Sequence, residues 1–241
     1  MRAIVLDIEG TTTPLSFVHD TLFPYARAHL RPYLEAHGDS PVCRPVLERL
    51  RREHDADARD SSDVAVWDDT TVTARLDSIV RYITWLMDRD RKSTALKDLQ
   101  GQIWEEGYAS GALIGEVFDD VGPAVQRWHQ QGIAVGIFSS GSVLAQKLLF
   151  QHSSAGDLTP LLRWHFDTSV GAKTDVESYR RIASALDTPP SGILFVSDAV
   201  RELDAALEAG LQTVLSIRPG NAPPPDGHGH TAIRNFDEVG F

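Results

Sequence analysis

Asp7 and Glu9 stand two residues apart and run directly into Gly10 and Thr11. Carboxylates at this spacing project to the same side of an extended chain. Such a pair can bind a hard cation such as Mg²⁺, and one member can attack a phosphorus or carbon centre. Three later clusters offer matching chemistry: Ser139-Ser140-Gly141-Ser142, Gly171-Ala172-Lys173-Thr174 and Ser197-Asp198. Each also has a plainer explanation. An acid pair can end a strand in solvent, and Ser and Gly commonly make turns and helix caps. Most lysines are solvated surface charges, and an Asp before a helix can be its N-cap.

Taken together, the four clusters supply what phosphoryl transfer needs. Asp7 would act as nucleophile and carry an aspartyl-phosphate, splitting hydrolysis into two steps. Mg²⁺ held by Asp7, Asp198 and an oxygen at Glu9 would shield the nucleophile from the charge of the substrate. Ser139, with backbone N–H groups around Ser140 and Gly141, would bind the phosphate oxygens at a helix N-terminus. Lys173 would neutralise charge on the phosphate and on Asp7. Glu9 could protonate the leaving oxygen and then take a proton from the attacking water.

The elements that must position these groups follow from hydrophobic pattern. The run Arg2-Ala3-Ile4-Val5-Leu6 predicts a buried strand ending at Asp7. Similar runs at 133–138, 193–196 and 213–217 predict strands, with a weaker one at 164–167. Helical patterns lie between them at 121–131, 143–150, 176–186 and 202–209. This alternation implies βαβ units: an α/β, Rossmann-like core with a mostly parallel sheet, whose chemistry lies beyond the carboxyl ends of the strands. Residues 15–117 break the rhythm, with helices expected at 23–37, 46–52, 73–87 and 97–106. The expected division is therefore a catalytic core of 1–14 and 118–241 with a helical domain, 15–117, inserted after the first strand. The charged stretch 52–69 reads as a solvated loop or helix end. The Pro- and Gly-rich stretch 221–230, with His228 and His230, reads as an irregular surface loop rather than a metal site.

Composition narrows the partners. Lys plus Arg is 23 against 34 for Asp plus Glu, a net charge of −11 that would repel nucleic acid and anionic membranes. A small anionic substrate remains compatible, because a bound divalent cation reverses the local field. The lone Cys43 rules out an intramolecular disulfide and fits a reducing compartment. Asp7 and Glu9 interrupt the opening apolar run, so it lacks a secretory pattern, and no stretch approaches 18 apolar residues. A cytoplasmic monomer acting on a small molecule is expected.

The ordered set Asp7-Ile8-Glu9-Gly10-Thr11, Ser139, Lys173, and Ser197-Asp198 with Glu202 and Asp204 beyond resembles the four motifs of the haloacid dehalogenase-type phosphohydrolases. The inserted helices resemble the cap domain of that family. The family usually has Asp where this chain has Glu9, one methylene longer. Within the family the chain resembles the enolase-phosphatases (acireductone synthases) of methionine salvage. This narrower likeness rests on residues 7–12, 99–104, 139–143, 171–174, 197–206 and 218–221, spanning nearly the whole chain. It implies a Mg²⁺-dependent enolisation of 2,3-diketo-5-methylthiopentyl-1-phosphate followed by hydrolysis of its phosphate. Glu9 is the first candidate for the enolising base. Gln100, Trp104 and Tyr108 are either contacts for the methylthio end or one packed helix face, since they recur at i, i+4. Two other readings stay open: a general small-metabolite phosphomonoesterase, and a receiver-like domain that stores phosphate on an Asp.

Overall fold

The computed structural model describes residues 1–240; Phe241, the last residue of the expected core segment, lies outside them. The first strand, β1 (Ala3–Leu6), is buried at all four positions, as an uninterrupted Ala-Ile-Val-Leu run should be. Four helices come next in the chain: α1 (Phe23–His37), α2 (Arg44–Asp60), α3 (Val72–Asp88) and α4 (Thr94–Ala109). Strands and helices then alternate. They are α5 (Val121–Gln130), β2 (Ala134–Phe138), α6 (Val143–Gln151), β3 (Leu162–Phe166), α7 (Val176–Ala185), β4 (Ile193–Ser197), α8 (Val200–Glu208), β5 (Gln212–Ser216) and β6 (Thr231–Ile233).

Two compact units result, Leu22–Ser110 on one hand and Met1–Thr21 with the chain from Gly111 onward on the other. In the second of these, six strands form one sheet in the order β3-β2-β1-β4-β5-β6, and every neighbouring pair is parallel. This is the doubly wound Rossmann-type order. The chain winds outward from β1 to β3, returns, and winds the other way from β4, so the order reverses between β1 and β4. Ligands of such sheets bind in the crevice beyond the strand ends at that reversal. Asp7 follows β1 and Asp198 follows β4, one on each side of it. Beneath it, Phe138, Tyr179 and Phe195 pack edge to face, Tyr179 lying 5.6 Å from Phe138 and 5.1 Å from Phe195. Val5, Ile182, Ile193 and Leu203 belong to the same buried cluster.

The helical unit has its own core. Leu30 and Leu34 of α1, Val46, Leu47 and Leu50 of α2, Ile79, Ile83 and Leu86 of α3, and Leu99 and Ile103 of α4 are buried at helical spacing. Thr71 and Ser93 cap α3 and α4, accepting from Ala74 N at 3.0 Å and Leu96 N at 2.9 Å. Helix α2 runs to Asp60, well beyond the 46–52 expected from the sequence. Its charged second half keeps a buried His54 one turn beyond Leu50, so the charges lie on the solvated side of a continuing helix. Among the described residues, no helix is long and apolar enough to cross a membrane.

Ile4 is fully buried in β1, whereas Val66 is 84% exposed. Ile4→Ala should therefore lower unfolding free energy by about 2–5 kcal/mol. Val66→Ala should change it by no more than about 0.5 kcal/mol. Chemical denaturation followed by circular dichroism checks both.

Candidate active site

The strand β1 ends at Asp7, whose own N–H still donates to Val196 O at 2.9 Å and so keeps the residue in register with β4. The chain then turns sharply: the N–H groups of Thr11, Thr12 and Thr13 all donate to Ile8 O, and Gly10 N–H donates to Thr13 O at 2.8 Å. Gly10 has φ +68°, and a Cβ there would collide with the Asp198 carboxylate. Only glycine fits both constraints. The turn brings Glu9 into the cavity that Asp7 lines.

That cavity, of about 200 Å³, is lined by Asp7, Glu9, Leu15, Ser139, Ser140, Lys173, Asp198 and Glu202. Every site residue expected from the sequence is among these. Lys173 is no surface lysine. Its Nζ lies 2.6 Å from Asp7 Oδ1 and 2.7 Å from Glu202 Oε2, with its side chain only 11% exposed. The loop carrying it is pinned to α7, with Tyr179 Oη donating to Lys173 O at 2.6 Å and Ser178 Oγ to Ala172 O at 2.7 Å. Gly171, at φ +133°, passes so close to Ser178 Oγ that a side chain there would collide with it.

Asp198 does not cap α8. Ala199 occupies that position without a side-chain cap, and its N–H donates to Ser197 Oγ at 3.1 Å. The Asp198 carboxylate is left for the cavity. Burial and the nearby Asp7 charge push its carboxyl up to about 6. Ser142, not Ser139, caps α6 by accepting from Ala145 N at 3.3 Å. Ser139 Oγ accepts from Gly141 N–H at 3.2 Å, which leaves its own hydroxyl proton to donate elsewhere. The Gly141 N–H, one of the donors expected for a phosphate, is thus bonded within the loop. Buried Gln146 holds this loop by donating to Gly141 O at 3.0 Å and Phe166 O at 2.8 Å.

Glu202, named from the sequence only as part of a motif, proves central. One turn beyond Asp198, it accepts from Ser197 Oγ at 2.9 Å while pairing with Lys173. Burial and the Asp7 charge, opposed by Lys173, push its carboxyl up to about 7. Burial pulls the Lys173 ammonium down, but Asp7 and Glu202 outweigh it and the net shift is upward. The available signal was an acid in the first turn of α8, close in sequence after the strand-end Ser197-Asp198.

Two expectations outside the cavity also resolve. His230 is buried, not part of a loose surface loop, with its ring between Thr213 Oγ1 at 2.9 Å and Asp204 Oδ1 at 3.0 Å. In the helical unit Gln100, Trp104 and Tyr108 are all buried, and the Trp104 indole donates to Leu22 O at 2.9 Å.

The cavity sets four carboxylates, those of Asp7, Glu9, Asp198 and Glu202, against the single ammonium of Lys173. That deficit of positive charge suits a divalent cation held by hard oxygens. Among the described residues no three His, Cys, Asp or Glu side chains are grouped so that they could hold a metal ion by themselves. Mg²⁺ needs no such group, since it is usually bound by one or two carboxylates and retains water. A buried carboxylate, a fixed ammonium, a serine hydroxyl and an acid set short of positive charge are the kinds of group that phosphoryl transfer uses.

The chain belongs to the haloacid dehalogenase-like hydrolases, whose family match covers residues 1–210. Its relatives within that class are enolase-phosphatases. It is 50% identical over 239 residues to enolase-phosphatase E1 of Synechococcus elongatus, covering 99% of this chain and 98% of the relative. It is 46% identical over 239 residues to that of Klebsiella pneumoniae, covering 99% and 96%. Among solved structures, the UTR4 protein of Saccharomyces cerevisiae superposes with a TM-score of 0.80 at 35% identity, covering 98% of this chain and 99% of that one. The chain is thus an enzyme, and the receiver-like alternative is set aside.

Because Glu202 holds its proton in the folded state at pH values where an unfolded Glu has lost it, the metal-free protein gains stability from this group below about 4.5 and loses it as pH rises through about 7. Between about pH 5 and pH 8, wild type should lose more stability than Glu202→Gln. Urea titrations of the metal-free proteins at both pH values check the difference.

Proposed function

We propose that the chain is a Mg²⁺-dependent enolase-phosphatase of methionine salvage. It would enolise 2,3-diketo-5-methylthiopentyl-1-phosphate and hydrolyse the phosphate through an aspartyl-phosphate on Asp7, releasing an acireductone. The observation that carries this reading is the 2.6 Å contact of Lys173 with Asp7 inside a cavity shared with Glu9, Ser139 and Asp198. The full-length likeness to enolase-phosphatases supplies the substrate class.

For hydrolysis, an Asp7 carboxylate oxygen attacks phosphorus, and the bond from phosphorus to the ester oxygen breaks. Glu9, protonated at this stage, gives its proton to the departing oxygen. Water then attacks phosphorus, Glu9 takes the proton, and cleavage of the bond to Asp7 frees phosphate and restores both acids. Ser139 donates its hydroxyl to the phosphate, Ser140 lies beside it, and Lys173 neutralises charge on Asp7 and the phosphate. Asp7, Asp198 and an oxygen at Glu9 would hold Mg²⁺. When bound, the ion supplies positive charge that lets a carboxylate approach a phosphate dianion.

For enolisation, a base must take a carbon-bound proton while positive charge stabilises the oxyanion. Glu9, ionised at the start, is the proposed base and Lys173 a stabiliser. The proton Glu9 takes from carbon is the one it gives to the leaving oxygen, and the proton it later takes from water passes to solvent before the next turnover. The helical unit Leu22–Ser110 is proposed as the cap of the fold.

The test offers the diketo phosphate with Mg²⁺ and follows enol absorbance and free phosphate together. Both signals are expected, the enol first. Phosphate without an enol would leave only a general phosphomonoesterase. Glu9→Gln should slow both phases by about 10²–10⁴, and unchanged enolisation would remove Glu9 as the base.

A further inference from the structure

Arg218-Pro219-Gly220-Asn221 lies just after β5 and has no place in the mechanism above. Asn221 N–H donates to Arg218 O at 3.1 Å, and Gly220 has φ +89°. With Pro second and a left-handed Gly third, this is a type II β-turn. Such a turn sets its first and fourth side chains close together, and here both grip the backbone immediately after Glu9. Asn221 Nδ2 donates to Gly10 O at 2.9 Å and to Ser216 O at 3.3 Å. Arg218 Nε donates to Thr11 O at 3.1 Å.

The arginine is itself immobilised. Its guanidinium binds both oxygens of Asp120 at 2.9 Å, donates to Arg234 O at 3.0 Å, and lies between the rings of Phe118 and Phe236. Its side chain is 3% exposed. A buried arginine this fully committed is a fixed post, not a substrate-binding group. Asn221 Oδ1 lies 2.9 Å from where a Gly10 Cβ would sit, on a position the Asp198 carboxylate also crowds. The Gly10 backbone is therefore threaded through a slot with Asn221 and Asp198 as walls.

We propose that Asn221, braced by Arg218, is a positioning residue that fixes the Gly10–Thr11 peptide, the next one along from Glu9, and so aims the Glu9 carboxyl at the leaving oxygen. Asp7 is held separately, by Lys173 and by its bond to Val196 O. At saturating Mg²⁺, loss of Asn221 should thus impair proton delivery and spare attack at phosphorus. The proposal rests on the acid role assigned to Glu9 above.

The two steps separate by leaving group. A nitrophenyl phosphate departs without a proton, whereas an alkyl phosphate needs one. Asn221→Ala should lower kcat for the alkyl ester about 10²-fold, the usual effect of misplacing a group by an ångström, with KM little changed. Its kcat for the nitrophenyl ester should fall less than about threefold. Asn221→Asp also lacks the donor but keeps the shape, and it should repeat the pattern if the alanine variant folds poorly. Glu9→Gln, measured beside them, should show the same leaving-group bias. If Glu9→Gln shows the bias and both folded Asn221 variants slow the two esters equally, the positioning role is wrong. If Glu9→Gln shows no bias, the acid role of Glu9 falls and this proposal falls with it.

Discussion

Lys173 brings the only ammonium into a cavity lined by four carboxylates, and the rest of the site is arranged around that imbalance. Its Nζ touches Asp7 and Glu202 at once. A buried ammonium is costly unless it is paired, and a buried carboxylate likewise. Burial first, and then the Asp7 charge that one cation does not fully offset, push the Asp198 and Glu202 carboxyls upward. The deficit of positive charge is what a divalent cation would rebalance before an anionic phosphate enters. Asp7 is thereby fixed and charge-paired before any ligand arrives.

The fold makes this arrangement possible by bringing distant segments to one sheet reversal. β1 and β4 are neighbours although almost 190 residues separate them, and Asp7 and Asp198 emerge from their adjacent ends. Parallel strands need long crossovers, so the groups of a single site must be scattered along the chain. Each is then set by local chemistry: a left-handed Gly10, a glycine at 171 that lets the lysine loop pass Ser178, and a serine at 197 that accepts the Ala199 N–H.

Much of this was legible in the sequence because buried parallel strands are plain apolar runs and each ends in a short polar cluster. Asp7, Glu9, Ser139, Ser140, Lys173 and Asp198 all sit at or near such ends, and all line the cavity. Glu202 was less visible, since an acid in a helix resembles any solvated charge until its partner Lys173 is placed beside it. The extension of α2 to Asp60 was hidden by charges that helix propensity tolerates and tertiary packing does not oppose. His230 was read as surface because its neighbours are Pro and Gly, and its partners Thr213 and Asp204 lie 17 and 26 residues away. Local pattern finds elements well. It finds long-range pairings only when a strand end advertises them.

Asp7, held by Lys173, is the proposed phosphoryl acceptor. The most direct measurement is to quench the enzyme during turnover, reduce with borohydride and map the product by mass spectrometry. Borohydride reduces an aspartyl-phosphate to homoserine and a glutamyl-phosphate to 2-amino-5-hydroxypentanoic acid, so homoserine is expected at position 7, none at position 198, and no reduced product at position 9. Unmodified Asp7 in a sample that is steadily releasing phosphate would contradict it.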